Sequence, residues 1–292
     1  MPFVSRPGAR IHYETFGSPG GPAVVLLQGL GLSSRFWFDI PRQLAEDPAK
    51  PRHVIAIDNR GTGKSDRPRP PWTMSTMADD VAAVLDDAGV EHAIVAGVSM
   101  GGMIAQHVAL RHPHRVRGLV LLATTAGFLA GALPEAMALY YLLTLPFGGR
   151  RASLNMARLL LPRSKWERAQ EIFREWPRAM RDDPTAPGTF AAHLFAASTH
   201  FVVPRLSKID CPVLVCAGAD DALIPKRNAE ALVRRLPWAE LELLPDTGHA
   251  LFAEDRDLVR RLVERVENAI ARGRPDLPTE APGSVFRTAK VR

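Results

Sequence analysis

The stretch Gly97-Val98-Ser99-Met100-Gly101 constrains this chain more than any other, because of what stands on either side of it. Upstream, Ala93, Ile94, Val95 and Ala96 form an apolar run with the length and branching of a buried strand. Downstream, Met103, Ile104, His107, Val108 and Leu110 recur at helical spacing up to Arg111, and Pro113 ends the pattern. A serine held between a strand and a helix by glycines has the layout of a nucleophile elbow. Gly97, Gly101 and Gly102 supply the missing side chains that let strand and helix approach. The turn lifts the Ser99 hydroxyl to the carboxyl edge of a sheet, above a helix amino terminus. G-x-S-x-G alone is common by chance. Its setting separates it from an ordinary glycine-rich strand-to-helix turn.

A nucleophilic serine needs a base, and the base needs an orienting acid. Residues 212–217 read as a second buried strand, which runs into Gly218-Ala219-Asp220-Asp221 and then Leu223-Ile224-Pro225. A helical segment over 229–236 and a strand over 240–244 follow, and that strand leads into Pro245-Asp246-Thr247-Gly248-His249. An acid after one strand and a histidine after the next would both stand beside the serine on one sheet edge. His249 is the only histidine after residue 200, and the other eight read as surface, helix or cap residues. Asp220 and Asp221 both fit the acid at this level.

Strands are predicted near 11–15, 24–27, 54–57, 93–98, 119–122, 213–217 and 241–244, with helices between most of them, including 77–88 and 256–272. Such alternation means an α/β fold with a mostly parallel central sheet and helices on both faces. From Thr125 to about Ser207 the alternation stops, and only helical patterns remain, at 134–145, 152–161, 165–180 and 189–203. That is too long for a loop and predicts an inserted helical cap over the catalytic edge. The expected organisation is a core of 1–127 and 208–272, a cap of 128–207, and a disordered tail of 273–292. Leu139, Tyr140, Leu142, Leu143, Met156, Phe173, Trp176, Phe195 and Phe201 should mostly form the core of the cap, the rest lining an apolar pocket. His193 and His200 read as structural or exposed.

The chain resembles the α/β-hydrolase fold from about residue 10 to about 270. The likeness rests on the elbow, Gln28-Gly29-Leu30-Gly31, Asp58 through Ser65, Gly218 through Pro225, and Gly248-His249, in that family's order. It is most similar to the serine branch of esterases, enol-lactonases and cofactor-free haloperoxidases. The resemblance implies that the acid stands four residues before Pro225, which selects Asp221 and leaves Asp220 to cap the loop or the next helix. It also implies an oxyanion hole made by the backbone N–H groups of Leu30 and Met100. Many relatives carry His-Gly where this chain has Gln28-Gly29; the pair is assigned to substrate binding, with the Gln28 amide bracing the loop or touching substrate.

A serine rather than a carboxylate at the elbow points to acyl transfer: Ser99 attacks a carbonyl, His249 shuttles the proton, and Asp221 orients His249. The implied function is cleavage of a carboxylic ester or lactone of a small to medium, largely apolar substrate. Carbon–carbon hydrolysis and perhydrolysis are the alternatives within the fold. A catalytically idle receptor or scaffold would be expected to lack a triad member, and all three are present.

Length and composition fit one such enzyme. The 292 residues are 46% hydrophobic, enough for a sizeable core. Mean hydropathy is −0.05, and no run of about eighteen apolar residues suggests a membrane span. The first residues lack the basic-then-apolar pattern of a secretory signal, so the expected location is the cytoplasm. Cys211 and Cys216 sit five apart on one predicted strand, on opposite faces, and read as buried and inert. The net charge of +6 falls partly in the tail, and without interleaved aromatics or a known module it does not indicate nucleic acid. Gly63-Lys64-Ser65 resembles the end of a P-loop, but Asp58 stands where its first glycine belongs, and a proline-rich segment replaces its helix. His112 and His114 have no carboxylate at ligand spacing. No metal, organic cofactor, nucleic acid or membrane is therefore expected, only a small-molecule substrate. The sequence carries no sign of oligomeric state.

Overall fold

The computed structural model describes residues 2–127, 130–144 and 152–273. Its eight strands are β1 (Phe3–Arg6), β2 (Ala9–Phe16), β3 (Ala23–Leu27), β4 (His53–Ile57), β5 (Ala93–Val98), β6 (Val116–Leu122), β7 (Val213–Gly218) and β8 (Ala239–Leu244). They form one sheet in the order β1-β2-β4-β3-β5-β6-β7-β8. The pairings from β4 to β8 are all parallel, and the β1–β2 and β2–β4 pairings are antiparallel. Every residue of the central β5 is buried, which is why its sequence runs apolar without alternation.

Helices cover both faces. On one lie α1 (Ile40–Ala45) and, at the end of the described chain, α11 (Leu258–Arg272); Leu44, Leu258, Leu262 and Val266 pack there against Val24, Val54, Ile94 and Val120. On the other lie α2 (Met74–Asp87) and α3 (Met100–Arg111); Met77, Val81, Met103 and Ile104 pack there against Val25, Ile55, Val95 and Leu119. Between β6 and β7 come only helices: α4 (Ala136–Thr144), α5 (Ala152–Leu160), α6 (Ala169–Ile172), α7 (Trp176–Asp182) and α8 (Pro187–Ser198). The short α9 (Arg227–Val233) joins β7 to β8, and α10 (Leu251–Glu254) precedes α11. Among the described residues, no helix is long and apolar enough to cross a membrane.

The structure departs from the sequence reading in several places. Strand β1 was not expected: four residues at a half-exposed edge give no apolar run to detect. The helix predicted over 165–180 is broken into a 3-10 segment (Arg163–Arg168), α6 and α7. Pro177 has no N–H to donate and sits in the first turn of α7, where none is needed. Cys211 precedes β7 rather than lying on it; both cysteines are buried and free. Of the apolar side chains assigned to the insertion's core, Leu139, Tyr140, Leu143, Phe195 and Phe201 are exposed. The expected tail beyond Gly273 lies outside the described residues.

His12 and His53 are buried strand residues, not surface, helix or cap positions. His12 Nδ1 lies 2.8 Å from Asp58 Oδ2. Burial would raise the Asp58 carboxyl, but hydrogen bonds from His12 and the N–H groups of Lys64 and Ser34 outweigh it and hold the group below its ordinary range.

A second buried pair lies under the elbow helix. His200 Nε2 stands 3.1 Å from the Thr125 carbonyl, His107 Nε2 3.2 Å from His200 Nδ1, and Ser75 Oγ 3.1 Å from His107 Nδ1. A carbonyl only accepts, so the protons run one way: Ser75 to His107 to His200 to Thr125. Both rings must be neutral, and burial pushes them down, to about 4 for His107 and about 3 for His200. Their pKa is lower folded than unfolded, so unfolding takes up protons below about pH 6.5, and stability falls as pH falls towards 4. Denaturant unfolding at several pH values should show this decline. In His107→Asn/His200→Gln the slope should be shallower by about 1 kcal/mol per pH unit for each ring removed. An unchanged slope would contradict the buried neutral pair.

Candidate active site

Ser99 sits between β5 and α3 with φ 54° and ψ −118°, a left-handed conformation that a non-glycine residue adopts only when its surroundings enforce it. The enforcement is visible. The Ser99 N–H donates to the Leu122 carbonyl at 2.8 Å, and the Ser99 carbonyl accepts from Thr124 Oγ1 at 2.7 Å and from the Gly102 N–H at 3.0 Å. A methyl group on Gly97 would stand 2.2 Å from the Gly101 carbonyl oxygen, and one on Gly101 would stand 2.1 Å from that of Leu27. Only glycine lets the backbones pass this closely. Met100 opens α3, so its N–H has no partner in the helix.

The acid and the histidine leave adjacent strands. Beyond β7, the Asp221 carboxylate is buried; Oδ1 accepts from the N–H groups of Leu223 (2.9 Å) and Ile224 (2.8 Å). Its other oxygen stands 2.8 Å from His249 Nδ1, on the loop after β8. A carboxylate only accepts, so Nδ1 carries the proton and Nε2 keeps a lone pair. Asp220, the other candidate acid, is exposed, and α9 follows Lys226 with no side-chain cap, so among the described residues Asp220 does not cap the next helix.

Ser99 and His249 line one pocket with Gln28, Gly29 and Leu30. No hydrogen bond joins Ser99 Oγ to His249 among the described residues. The rest of the lining is apolar: Leu142, Met156, Leu159, Leu160, Trp176 and Phe190 come from the insertion, and Leu223 and Phe252 from the core. Leu142, Met156 and Trp176 are among the apolar residues that the sequence singles out; Phe190, within the predicted helix at 189–203, and Phe252, in the four-residue α10, are pocket residues that it does not.

Gln28 is fully buried. Its Oε1 accepts from the Gly29 N–H at 3.1 Å, so it does brace the loop, while its Nε2 finds no acceptor among the described residues. Its carbonyl accepts from Asn59 Nδ2 at 3.1 Å, tying the loop to the turn after β4. Among the described residues, no cluster of three or more His, Cys, Asp or Glu side chains could hold a metal ion.

Comparison with known proteins shows the family. Residues 22–256 match the profile of the family described as alpha/beta hydrolase fold. RutD of Variovorax paradoxus, a candidate carbamate hydrolase, is 32% identical over 82% of this chain and 89% of its own. Est816, solved as an N-acyl homoserine lactone degrading enzyme, is 28% identical with a TM-score of 0.70, over 90% of this chain and 99% of its own. The enol-lactonase of Burkholderia xenovorans, 23% identical with a TM-score of 0.77 over 92% and 100% of the two chains, shares the fold.

The two aspartates can be told apart without a known substrate. A fluorophosphonate probe should label Ser99, and Asp221→Asn should slow labelling by about a thousandfold or more. Asp220→Asn should leave the rate within about twofold. The reverse order of sensitivity would exclude Asp221 as the partner of His249.

Proposed function

This chain belongs to the α/β-hydrolase family and is a hydrolase; from that premise we propose that it cleaves a carboxylic ester or lactone through an acyl-enzyme on Ser99. The observation that carries the reading is one apolar pocket lined by a left-handed serine and by a histidine whose far nitrogen is held 2.8 Å from a buried carboxylate.

In this mechanism His249 Nε2 takes the proton of Ser99 as its oxygen attacks the carbonyl carbon, and Asp221 stabilises the imidazolium that forms. The N–H groups of Met100 and Leu30 receive the developing oxyanion, a role worth about a hundredfold to a thousandfold in rate for each donor. Collapse breaks the carbonyl carbon–oxygen bond, and His249 returns the proton to the leaving alkoxide. In a lactone that alkoxide stays tethered to the acyl group. Water then attacks the acyl-enzyme by the same proton route and frees Ser99.

The lining favours a small to medium, largely apolar substrate. Gln28 and Gly29 would sit beside its carbonyl end, Gly29 through its backbone and the buried Gln28 through the loop that its Oε1 braces. Six pocket residues come from the helices between β6 and β7, which supports reading 128–207 as a cap on a core of 1–127 and 208–272. The likeness to Est816 is in keeping with a lactone. A carbamate, the substrate class of the RutD name, would follow the same steps through a carbamoyl-enzyme.

p-Nitrophenyl esters from acetate to octanoate are the first substrates to try. Turnover should rise beyond acetate as the acyl chain fills the pocket, and Ser99→Ala should lower kcat by at least about 10⁴-fold. Ester hydrolysis that survives Ser99→Ala, or none on any chain length, would overturn the proposal.

A further inference from the structure

Gly29 through Leu32 form a turn closed by the Leu32 N–H on the Gly29 carbonyl at 3.2 Å, with Leu30 and Gly31 at its centre. Gly31 has φ +74°, the sign that a type II turn requires at its third position. In such a turn the central peptide, which carries the Gly31 N–H, can face either way. Its orientation separates type I from type II through ψ of Leu30 and φ of Gly31, so an anchor on the Gly31 N–H fixes the carboxyl side of the Leu30 backbone, from which that residue's own N–H is hung.

What fixes that peptide comes from outside the core. The Gly31 N–H donates to His193 Nδ1 at 3.1 Å, and His193 Nε2 stands 2.9 Å from the Arg60 carbonyl. The carbonyl can only accept, so Nε2 carries the proton and Nδ1 offers its lone pair to Gly31. His193 lies on α8 with no exposed surface, edge-on to the Trp72 ring at 5.5 Å. Burial lowers its pKa to about 4, which keeps the ring neutral and able to accept. The insertion holds the other side of Gly31 as well: Thr185 Oγ1 donates to the Gly31 carbonyl. Thr189 Oγ1 also bonds the Gly61 carbonyl at 3.2 Å, so the start of α8 is stitched both to this loop and to the turn after β4.

We propose that His193 is a positioning residue for the oxyanion site: by accepting the Gly31 N–H it sets the turn that presents the Leu30 N–H, and so makes that donor's placement depend on the seating of α8. The proposal rests on the acyl-transfer reading above. It differs from a plain fastening role, in which the two hydrogen bonds of His193 would matter alike and only for stability. Here the Gly31 bond governs kcat, and the Arg60 bond only holds the helix.

The two bonds can be separated with near-isosteric side chains. His193→Asn keeps an acceptor close to the Nδ1 position, whereas His193→Gln reaches toward Arg60 with a donor and leaves Gly31 unpaired. On p-nitrophenyl butyrate, His193→Gln should lose about tenfold or more in kcat with KM within about twofold, because a displaced donor acts only in the transition state. Its affinity for a trifluoromethyl ketone, which forms a tetrahedral oxyanion on the serine, should fall by the same factor. His193→Asn should stay within about threefold of wild type on both measures. Thr185→Val, which frees the Gly31 carbonyl on the next peptide of the same turn and loosens the seating of the insertion on it, should lower kcat by about threefold with KM unmoved.

Equal kcat losses in Asn and Gln, losses that follow melting temperature, or losses carried by KM would overturn the proposal. Should neither His193 variant fold, an unchanged kcat in Thr185→Val overturns it. In each case turnover that still depends on Ser99 leaves the acyl-transfer reading standing.

Discussion

The start of α3 packs backbone against backbone. A methyl group at Gly101 would lie 2.1 Å from the Leu27 carbonyl oxygen, and one at Gly97 would lie 2.2 Å from that of Gly101. This approach leaves Ser99 no room to relax into an ordinary backbone conformation, at a cost of about 1–3 kcal/mol that the packed sheet absorbs. Leu27 is also the last residue of β3, from which the Gln28–Gly31 loop departs. A methyl group at Gly29 would stand 3.4 Å from Ser99 Cβ, in van der Waals contact. Elbow and loop are therefore one packed unit. A shift of the helix would misplace the serine and the loop together.

Topology brings the remaining groups to the same edge. β7 and β8 are parallel neighbours, so the loops at their carboxyl ends emerge side by side, and a methyl group at Gly218 would stand 2.2 Å from the Thr247 carbonyl oxygen. That closeness brings the His249 loop within reach of Asp221, whose two oxygens divide their work between the Leu223 and Ile224 N–H groups and His249. The carboxylate cannot rotate without breaking backbone bonds, so the imidazole it holds is fixed as well. The insertion enters between β6 and β7, one strand from the elbow strand, and can reach across the pocket to the Gln28–Gly31 loop.

Much of this was legible in the sequence because glycines and strand order carry it. The elbow shows as an apolar run, two flanking glycines and a helical period, the direct traces of a buried strand, a close approach and a helix packed in the core. Choosing Asp221 over Asp220 took the family resemblance, and the structure places Asp221 against His249. Other features left no such trace. β1 pairs at an edge too short and too polar to show a period. The segment at 165–180 keeps a helical pattern while Pro177 and the packing of Trp176 on Phe36, Phe38 and Phe173 break it. His193 reads from sequence only as a structural or exposed helix residue, since its meaning depends on a Gly31 N–H 162 positions away. The unpartnered amide of Gln28 is likewise invisible until its neighbours are known.

The central claim is covalent: the acyl group resides on Ser99 during turnover. The direct measurement is acid quench of the enzyme with p-nitrophenyl trimethylacetate, whose acyl-enzyme hydrolyses slowly, followed by peptide mass analysis. The account predicts a pivaloyl mass increment on the peptide containing Ser99, at the Ser99 hydroxyl, formed with the burst of nitrophenol and absent in Ser99→Ala. Nitrophenol release with no adduct at Ser99, or with the adduct on another residue, would contradict it.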